Sequence, residues 1–245
     1  MTRVIISLTT VPNRINTTLK PCLDVLDNMS YENYEIHLNL PKVCKRTGEN
    51  YFIPNFISKY KKVRVFFGVD DYGPATKLVP TIFRSNPDDI LITVDDDILY
   101  EDGFIEAYLD KSIEYPNCVL CFAGVKIENI WASNALIKYD EKVDCMGNFG
   151  TAFYKRYMFK SNLIDEYVNK CWDDDVSFSC HLRDNKIDII RVTPPPKHSL
   201  HCFPVVEILP TPYGGCDIFR DGGHKSDMAA VSERYKKLMD RDELI

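Results

Sequence analysis

Three consecutive carboxylates close an apolar run: Asp89-Ile-Leu-Ile-Thr-Val94 is followed at once by Asp95-Asp96-Asp97. Acids crowded at the end of a buried strand repel one another and lose hydration, so they call for a positive charge. Side chains alternate along a strand, which predicts that Asp95 and Asp97 point the same way. Two carboxylates on one side suit a hard divalent cation, Mg²⁺ or Mn²⁺. A cation held there can also bridge two phosphates of a nucleotide and neutralise a leaving diphosphate. The competing account is an acidic, solvated turn, since Asp is a common turn residue.

A second cluster, Trp172-Asp-Asp-Asp175, precedes a predicted helix over Asp175–Asn185. An Asp at the N-cap and another in the first turn would satisfy free N–H groups and the helix dipole. Capping accounts for one or two of the three acids. The excess points to a general base, a carboxylate that takes the proton from an attacking hydroxyl. Three histidines stand late in the chain, His198, His201 and His224, each read as an ordinary histidine ahead of a ligand.

The elements that must position these residues alternate in type. Apolar runs predict strands at Val4–Thr10, Tyr34–Leu40, Val63–Val69, Ile90–Val94 and Val119–Ala123. Leu19, Leu23 and Leu26 give helical spacing to Asn16–Met29, with Pro21 tolerated near its first turn. Further helices are expected at Ile53–Tyr60, at Thr76–Arg84 with Pro80 as a disturbance, and at Phe104–Tyr115. Strands alternating with helices imply right-handed βαβ units, an α/β fold and a mostly parallel central sheet flanked by helices. Ligands of such sheets sit at the carboxyl ends of the strands. The second half is less regular. Phe149–Phe159 reads as a strand pair or a strand and turn, Pro204–Gly215 as loop, and Ser226–Leu238 as a helical tail.

Composition narrows the classes. The 245 residues carry 30 basic and 36 acidic side chains, a formal net charge of −6. Without a dense Lys/Arg run there is no basic face for nucleic acid. Nine cysteines are scattered through the chain. Its one Cys-x-x-Cys pair, Cys118 and Cys121, falls on opposite faces of a strand and makes a poor zinc site. Buried reduced thiols in a reducing compartment are the expectation. No stretch approaches the ~20 apolar residues of a membrane span, so a soluble, cytoplasmic chain is expected, in which the sequons at Asn16 and Asn28 carry no meaning.

Val4-Ile-Ile-Ser-Leu-Thr-Thr-Val-Pro-Asn-Arg14, Tyr72-Gly-Pro-Ala-Thr-Lys-Leu78 and Ile92-Thr-Val-Asp-Asp-Asp97 together resemble the blocks of GT-A glycosyltransferases. The closer likeness is to small soluble transferases of bacterial surface-polysaccharide pathways and of large DNA viruses. The resemblance covers roughly the first 125 residues well. It implies a single Rossmann-like GT-A domain, residues 1–125 as the nucleotide-donor half and 126–245 as the acceptor half with a C-terminal lid or tail. It implies a metal-dependent transfer, Mn²⁺ or Mg²⁺, from a nucleotide-diphosphate sugar, UDP being the commonest donor nucleotide, to a hydroxyl of a glycan or glycoprotein, with inversion.

Carried onto this sequence, the resemblance makes Asp97 the direct metal ligand, with Asp95 on the ribose or the metal. The loop containing Thr9, Thr10, Val11 and Arg14 would lie under the nucleotide, and Asp96 would be a further nucleotide-sugar contact. Asp71 and Lys77 become candidates for base, ribose or phosphate contacts, against a turn opening for Asp71, a surface helix lysine for Lys77 and a structural ion pair for Arg14. The base falls on Asp175, with Asp174 second. Met146-Gly-Asn-Phe-Gly-Thr151 resembles a glycine-bearing turn near the sugar, though glycine serves any turn equally. Trp131 and Trp172 could stack on a sugar ring or simply fill core. His198 and His224 become candidates for a further metal ligand. A phosphotransferase would place its acidic motif after the first strand, and a sugar nucleotidyltransferase needs glycine in the first loop, which Thr9–Arg14 lacks. A non-catalytic carbohydrate-binding domain has no use for a general base.

Overall fold

A computed structural model describes residues 3–126, 138–194 and 205–208, with the backbone alone described at 148–150 and 205–208. Strand β1, Val4–Leu8, is buried throughout and lies between β2, Tyr34–Pro41, and β4, Ile90–Val94, parallel to both. Beyond β2 the parallel strand β3, Val63–Val69, forms an edge with several exposed residues. On the other side β8, Cys145–Lys155, runs antiparallel to β4, then come β6, Val119–Val125, β9, Ile189–Arg191, and β7, Glu141–Val143. The order is β3-β2-β1-β4-β8-β6-β9-β7, and only β8 and β7 oppose the common direction. The α/β architecture with a mostly parallel sheet is therefore as expected.

Side-chain alternation divides the core between the two faces of the sheet. Val4, Ile6, Leu8, Ile90, Ile92 and Val94 pack into one cluster, whereas Ile5 and Leu91 join the other. The first face receives α1, Leu19–Leu26, through Leu19, Cys22, Leu23 and Leu26, and α3, Phe104–Glu114, through Phe104, Ile105 and Tyr108. The second face receives α2, Val79–Arg84, through Val79 and Ile82, and α4, Asp174–Asp184, through Phe178 and Leu182. Fully burying each such side chain contributes on the order of 1.5–3 kcal/mol. Cys121 belongs to the second cluster and Cys118 packs against the first, the opposite-face placement expected of that pair.

Several boundaries differ from expectation. The helix expected over Thr76–Arg84 is two pieces, a 3₁₀ turn at Gly73–Lys77 and then α2, with Pro80 admitted in the first turn of α2, where its missing N–H is harmless. Ile53–Tyr60 is likewise a 3₁₀ turn, Asn55–Lys59. The loop expected at Pro204–Gly215 contains β10, Val205–Ile208, antiparallel to β5, Ile98–Tyr100. Its Val-Val-Glu-Ile run is β-prone, and Pro204 before it is compatible with a strand start. The glycine-bearing turn expected at Met146–Thr151 is instead part of β8. Ala123 pairs with Gly147 and Cys121 with Ala152, so the intervening β8 residues form a bulge against β6. His198, His201, His224, Trp131 and the tail Ser226–Leu238 lie outside the described residues.

Helix α4 is seated by a buried imidazole. His181 Nε2 accepts from the Lys160 amide at 3.1 Å, and its ring meets Phe159 and Tyr167. Burial lowers its pKa to about 4 from an ordinary 6.5. Between those values the unfolded chain takes up a proton that the folded chain refuses, so stability falls as pH drops from about 6.5 toward 4. His181→Gln keeps an acceptor for Lys160 but removes this proton. The variant should lose less in melting temperature than the wild type between pH 7 and 4.5. Equal losses would show that His181 is not the linked group.

Candidate active site

The cleft opens at the carboxyl ends of β1, β2 and β4. Strand order reverses at β1, which has β2 and β3 on one side and β4 on the other, and a crevice forms at such a switch point. The chain leaving β1 makes a 3₁₀ turn at Pro12–Arg14. Thr9 Oγ1 donates to the Asn39 carbonyl at 2.8 Å, and Tyr51 Oη donates to the Thr10 carbonyl at 2.9 Å. The Thr10 hydroxyl donates to Asp96, which also receives Arg14 Nη1 at 2.9 Å. The same Arg14 nitrogen lies 3.3 Å from Asp97 Oδ2.

The acidic triplet is not a continuation of the strand. β4 ends at Val94 and β5 begins at Ile98, which makes Asp95–Asp97 a turn. Strand alternation therefore does not govern it: Asp96 and Asp97 share Arg14, while Asp95 turns to Lys77, Oδ1 to Nζ 2.6 Å. The Asp95 amide donates to Tyr100 Oη at 2.7 Å, which pins the start of the turn. Burial raises the Asp97 carboxyl to about 7, reinforced by the charges of Asp95 and Asp96 and only partly opposed by Arg14. Burial also raises Asp95, against the pull of Lys77.

Lys77 joins the two acidic clusters. Its Nζ lies 2.6 Å from Asp95 and 3.1 Å from Asp174 Oδ2, and its side chain is 8% exposed. Burial disfavours the ammonium, but Asp174, Asp95 and Asp175 outweigh it and hold the lysine charged. Below it, the Lys77 carbonyl accepts from Ser7 Oγ and from Asn39 Nδ2, the latter at 3.2 Å. Thr81 Oγ1 completes this buried group, 2.6 Å from Ser7 Oγ and 3.0 Å from Asn39 Nδ2.

The second cluster divides its labour. Asp173 is the N-cap of α4, its carboxylate accepting from the Val176 amide at 3.3 Å. Asp174 is buried against Lys77, and Asp175 is partly exposed. Trp172, half-exposed, packs over Gly73 so closely that a Cβ there would lie 2.7 Å from its ring. Gly73 also takes a left-handed φ of 62°, a conformation glycine supplies without strain.

One cleft of about 150 Å³ thus gathers Thr9, Thr10, Val11, Arg14, Asp71, Lys77, Asp95, Asp96 and Trp172. Asp97 adjoins it through Arg14, and Asp174 through Lys77. Lys77 is not the surface lysine considered from sequence. Asp71 does organise its turn: its carboxylate accepts from the Lys45 and Gly73 amides, each at 2.7 Å. Arg46 and Tyr51 also line the cleft and were missed. Both stand beyond the carboxyl end of β2, beside β1, and that placement was the available signal.

Among the described residues no three His, Cys, Asp or Glu side chains are grouped to hold a metal ion. The donors present are carboxylate oxygens, and Asp97 is raised first by burial and then by its acidic neighbours. Mg²⁺ and Mn²⁺ are hard ions served by oxygen donors, and Mg²⁺ in particular is commonly held by one or two carboxylates, with waters and substrate phosphates as its other ligands. Carboxylates are the donors such a site takes, and here Asp95 is drawn to Lys77 and Asp97 to Arg14.

No family model matches this sequence, and no curated protein matches it. The fold is shared with solved structures. Residues 1–349 of *S. aureus* TarS align over 98% of this chain and 72% of that one, at 11% identity and a TM-score of 0.53. A longer TarS structure aligns over 78% of this chain at 12% identity and a TM-score of 0.51, and this chain spans 35% of its length. The mannosyltransferase PcManGT of *Pyrobaculum calidifontis*, solved with GDP-Man and Mn²⁺, aligns over 95% of this chain and 64% of that one, at 15% identity and a TM-score of 0.55. TarS 1–349 has also been solved with UDP-GlcNAc. Among the described residues no helix is long and apolar enough to cross a membrane.

The sharing of Arg14 between Asp96 and Asp97 gives a test. Arg14→Ala should lower the melting temperature in EDTA, and Mn²⁺ should raise it by more degrees in the variant than in the wild type. A thermal shift with and without Mn²⁺ measures both. Equal Mn²⁺ increments would show that arginine and cation do not serve the same carboxylates.

Proposed function

We propose that this chain is a metal-dependent glycosyltransferase of the GT-A type, moving a sugar from a nucleotide-diphosphate sugar, a UDP-sugar foremost, onto a hydroxyl of a glycan or glycoprotein with inversion. The observation that carries this reading is the meeting of two acidic clusters across Lys77 at a cleft lined by the first-strand loop. Chemistry that must neutralise a leaving diphosphate and deprotonate an attacking hydroxyl needs two separate acidic groups near each other.

In this reading Asp97, with Asp95, would hold Mn²⁺ or Mg²⁺, which when bound supplies positive charge to the departing diphosphate. Thr9, Thr10, Val11 and Arg14 line the floor under the nucleotide, with Arg46 and Tyr51 along its wall. Asp71 shapes that wall by holding the turn at Gly73. Asp175 is the general base. Asp173 is committed to the helix cap and Asp174 to Lys77, whereas Asp175 stands partly exposed beside both. A helix N-terminus favours its anion, the form a base needs. The likeness to proteins solved with UDP-GlcNAc and with GDP-Man and Mn²⁺ supports the reading through the shared fold.

A thermal-shift screen of UDP- and GDP-sugars with Mn²⁺ tests the class. A donor at a hundredfold excess over its dissociation constant should stabilise the fold by ~2.7 kcal/mol. No stabilisation by any nucleotide sugar would overturn the proposal. Two variants test the roles. Asp97→Ala should abolish Mn²⁺-dependent UDP binding in isothermal titration, and wild-type affinity would remove Asp97 from the metal site. Asp175→Asn should lose ~10²–10⁴ in turnover while keeping donor affinity, since the amide preserves shape but accepts no proton. If Asp174→Asn shows that loss and Asp175→Asn does not, the base is Asp174. A product that retains the donor's anomeric configuration would exclude a single inverting displacement.

A further inference from the structure

We propose that Lys77 is a positioning residue that ties the Asp95 turn to Asp174, holding the base-bearing start of α4 at a set distance from the donor cleft. The inference rests on the glycosyltransferase reading and assigns Lys77 a task other than contacting the donor. Lys77 borders the cleft, but a lysine serving phosphate would keep its ammonium free to meet it. This one is 8% exposed and lies within hydrogen-bond range of two carboxylates that are far apart in sequence. A buried ammonium is costly unless it is paired, and here both pairs are cross-links between elements.

Lys77 is fixed at its backbone end as well. Its carbonyl is gripped by Ser7 and Asn39, both fully buried, with Thr81 closing the group from α2. The turn that carries it touches the base segment a second time, where the Trp172 ring covers Gly73. Residues 73–77 and 172–174 are therefore held together by one ion pair and one packed ring, at opposite ends of the same turn. Through them the β1–β4 crevice and the N-terminus of α4 become one rigid surface. Asp175, adjacent to Asp174, takes its place relative to the cleft from this tie.

The test compares donor binding with turnover in Lys77→Met, Asp174→Asn and the double variant, using UDP with Mn²⁺ for affinity and the nucleotide sugar that most stabilises the wild type for kinetics. Lys77→Met should lower kcat by at least ~10-fold while UDP affinity and donor KM change less than ~3-fold. Because both residues act through one contact, the double variant should be no slower than the slower single variant. A loss of UDP affinity that matches the loss in kcat would make Lys77 a donor contact and overturn the proposal. Losses that multiply in the double variant, or an unchanged kcat, would overturn it as well. Should Lys77→Met fail to fold, Ser7→Ala leaves the charge in place and loosens the buried group around the Lys77 carbonyl, where Ser7 also meets Thr81 and Asn39. It should lower kcat ~2- to 5-fold at unchanged donor KM, and wild-type kcat would count against the tie. A wild-type protein that binds no nucleotide sugar fails the glycosyltransferase reading itself, and the tie falls with it. A wild type that transfers sugar while these variants match it fails the tie alone.

Discussion

The Lys77 ammonium stands between carboxylates that arrive from opposite halves of the chain, and the shape of the cleft follows from that contact. Two unit charges 4 Å apart in a partly buried setting interact by about 4 kcal/mol. Desolvation consumes much of such a gain, so a buried pair persists only where its geometry is held by other bonds. Here those bonds are visible: the Ser7 and Asn39 grip on the Lys77 carbonyl, the Asp173 cap on α4, and the Tyr100 hydroxyl under the Asp95 amide. Charge is distributed sparingly. Arg14 is shared by Asp96 and Asp97, and Lys77 by Asp95 and Asp174. Asp97 is driven up to about 7 by burial and by the charges of Asp95 and Asp96, which Arg14 only partly opposes. A site built in this way has room for further positive charge, which is the property the proposed function uses.

The sheet explains why these groups meet at all. With β1 in the centre, the loops that follow β1, β2 and β4 rise at the same edge. The loop after β1 is tied to the β4 turn by Thr10 and Arg14, and to the loop after β2 by Tyr51. β8 then brings the second half of the chain alongside β4, with Thr151 paired to Val94, the residue before the acidic turn. Antiparallel β8 is thus the device that carries residues of the second half of the chain to the cleft edge without another crossover.

Much of this was legible in the sequence where the signal was long and apolar. β1, β4 and β6 follow from largely apolar runs, β2 from the alternation Tyr34-Glu-Ile-His-Leu-Asn-Leu40, β3 from its β-prone Val63-Arg-Val-Phe-Phe67, and α1 from the spacing of Leu19, Leu23 and Leu26. β5, β7, β9 and β10, of three or four residues each, carry too few side chains for any period to show, and their pairing is a tertiary decision. The acidic triplet stood out by its charge at a strand end, but its internal geometry did not follow, because strand alternation was extended one turn too far. Lys77 was unreadable for a related reason. Its burial depends on a 3₁₀ turn at Gly73–Lys77 set over Ser7, Asn39 and Thr81, residues that are distant in sequence and polar in type. Nothing local distinguishes such a lysine from one on a solvated helix.

The three acids at the start of α4 occupy three separate environments within one cluster. A helix start needs an acceptor for its unsatisfied N–H groups, and Asp173 provides it. Asp174, one position on, is turned inward onto Lys77 and is buried. Successive residues of a helix are about 100° apart around its axis, so Asp175 cannot follow Asp174 inward and emerges partly exposed instead. Its charge still reaches Lys77 and helps to keep that lysine protonated. A run of acids that first reads as redundancy is therefore a sequence of three environments, each set by helical geometry and by one partner. The carboxylate in the third environment sits in the first turn of the helix, partly exposed, where the free N–H groups favour its anion.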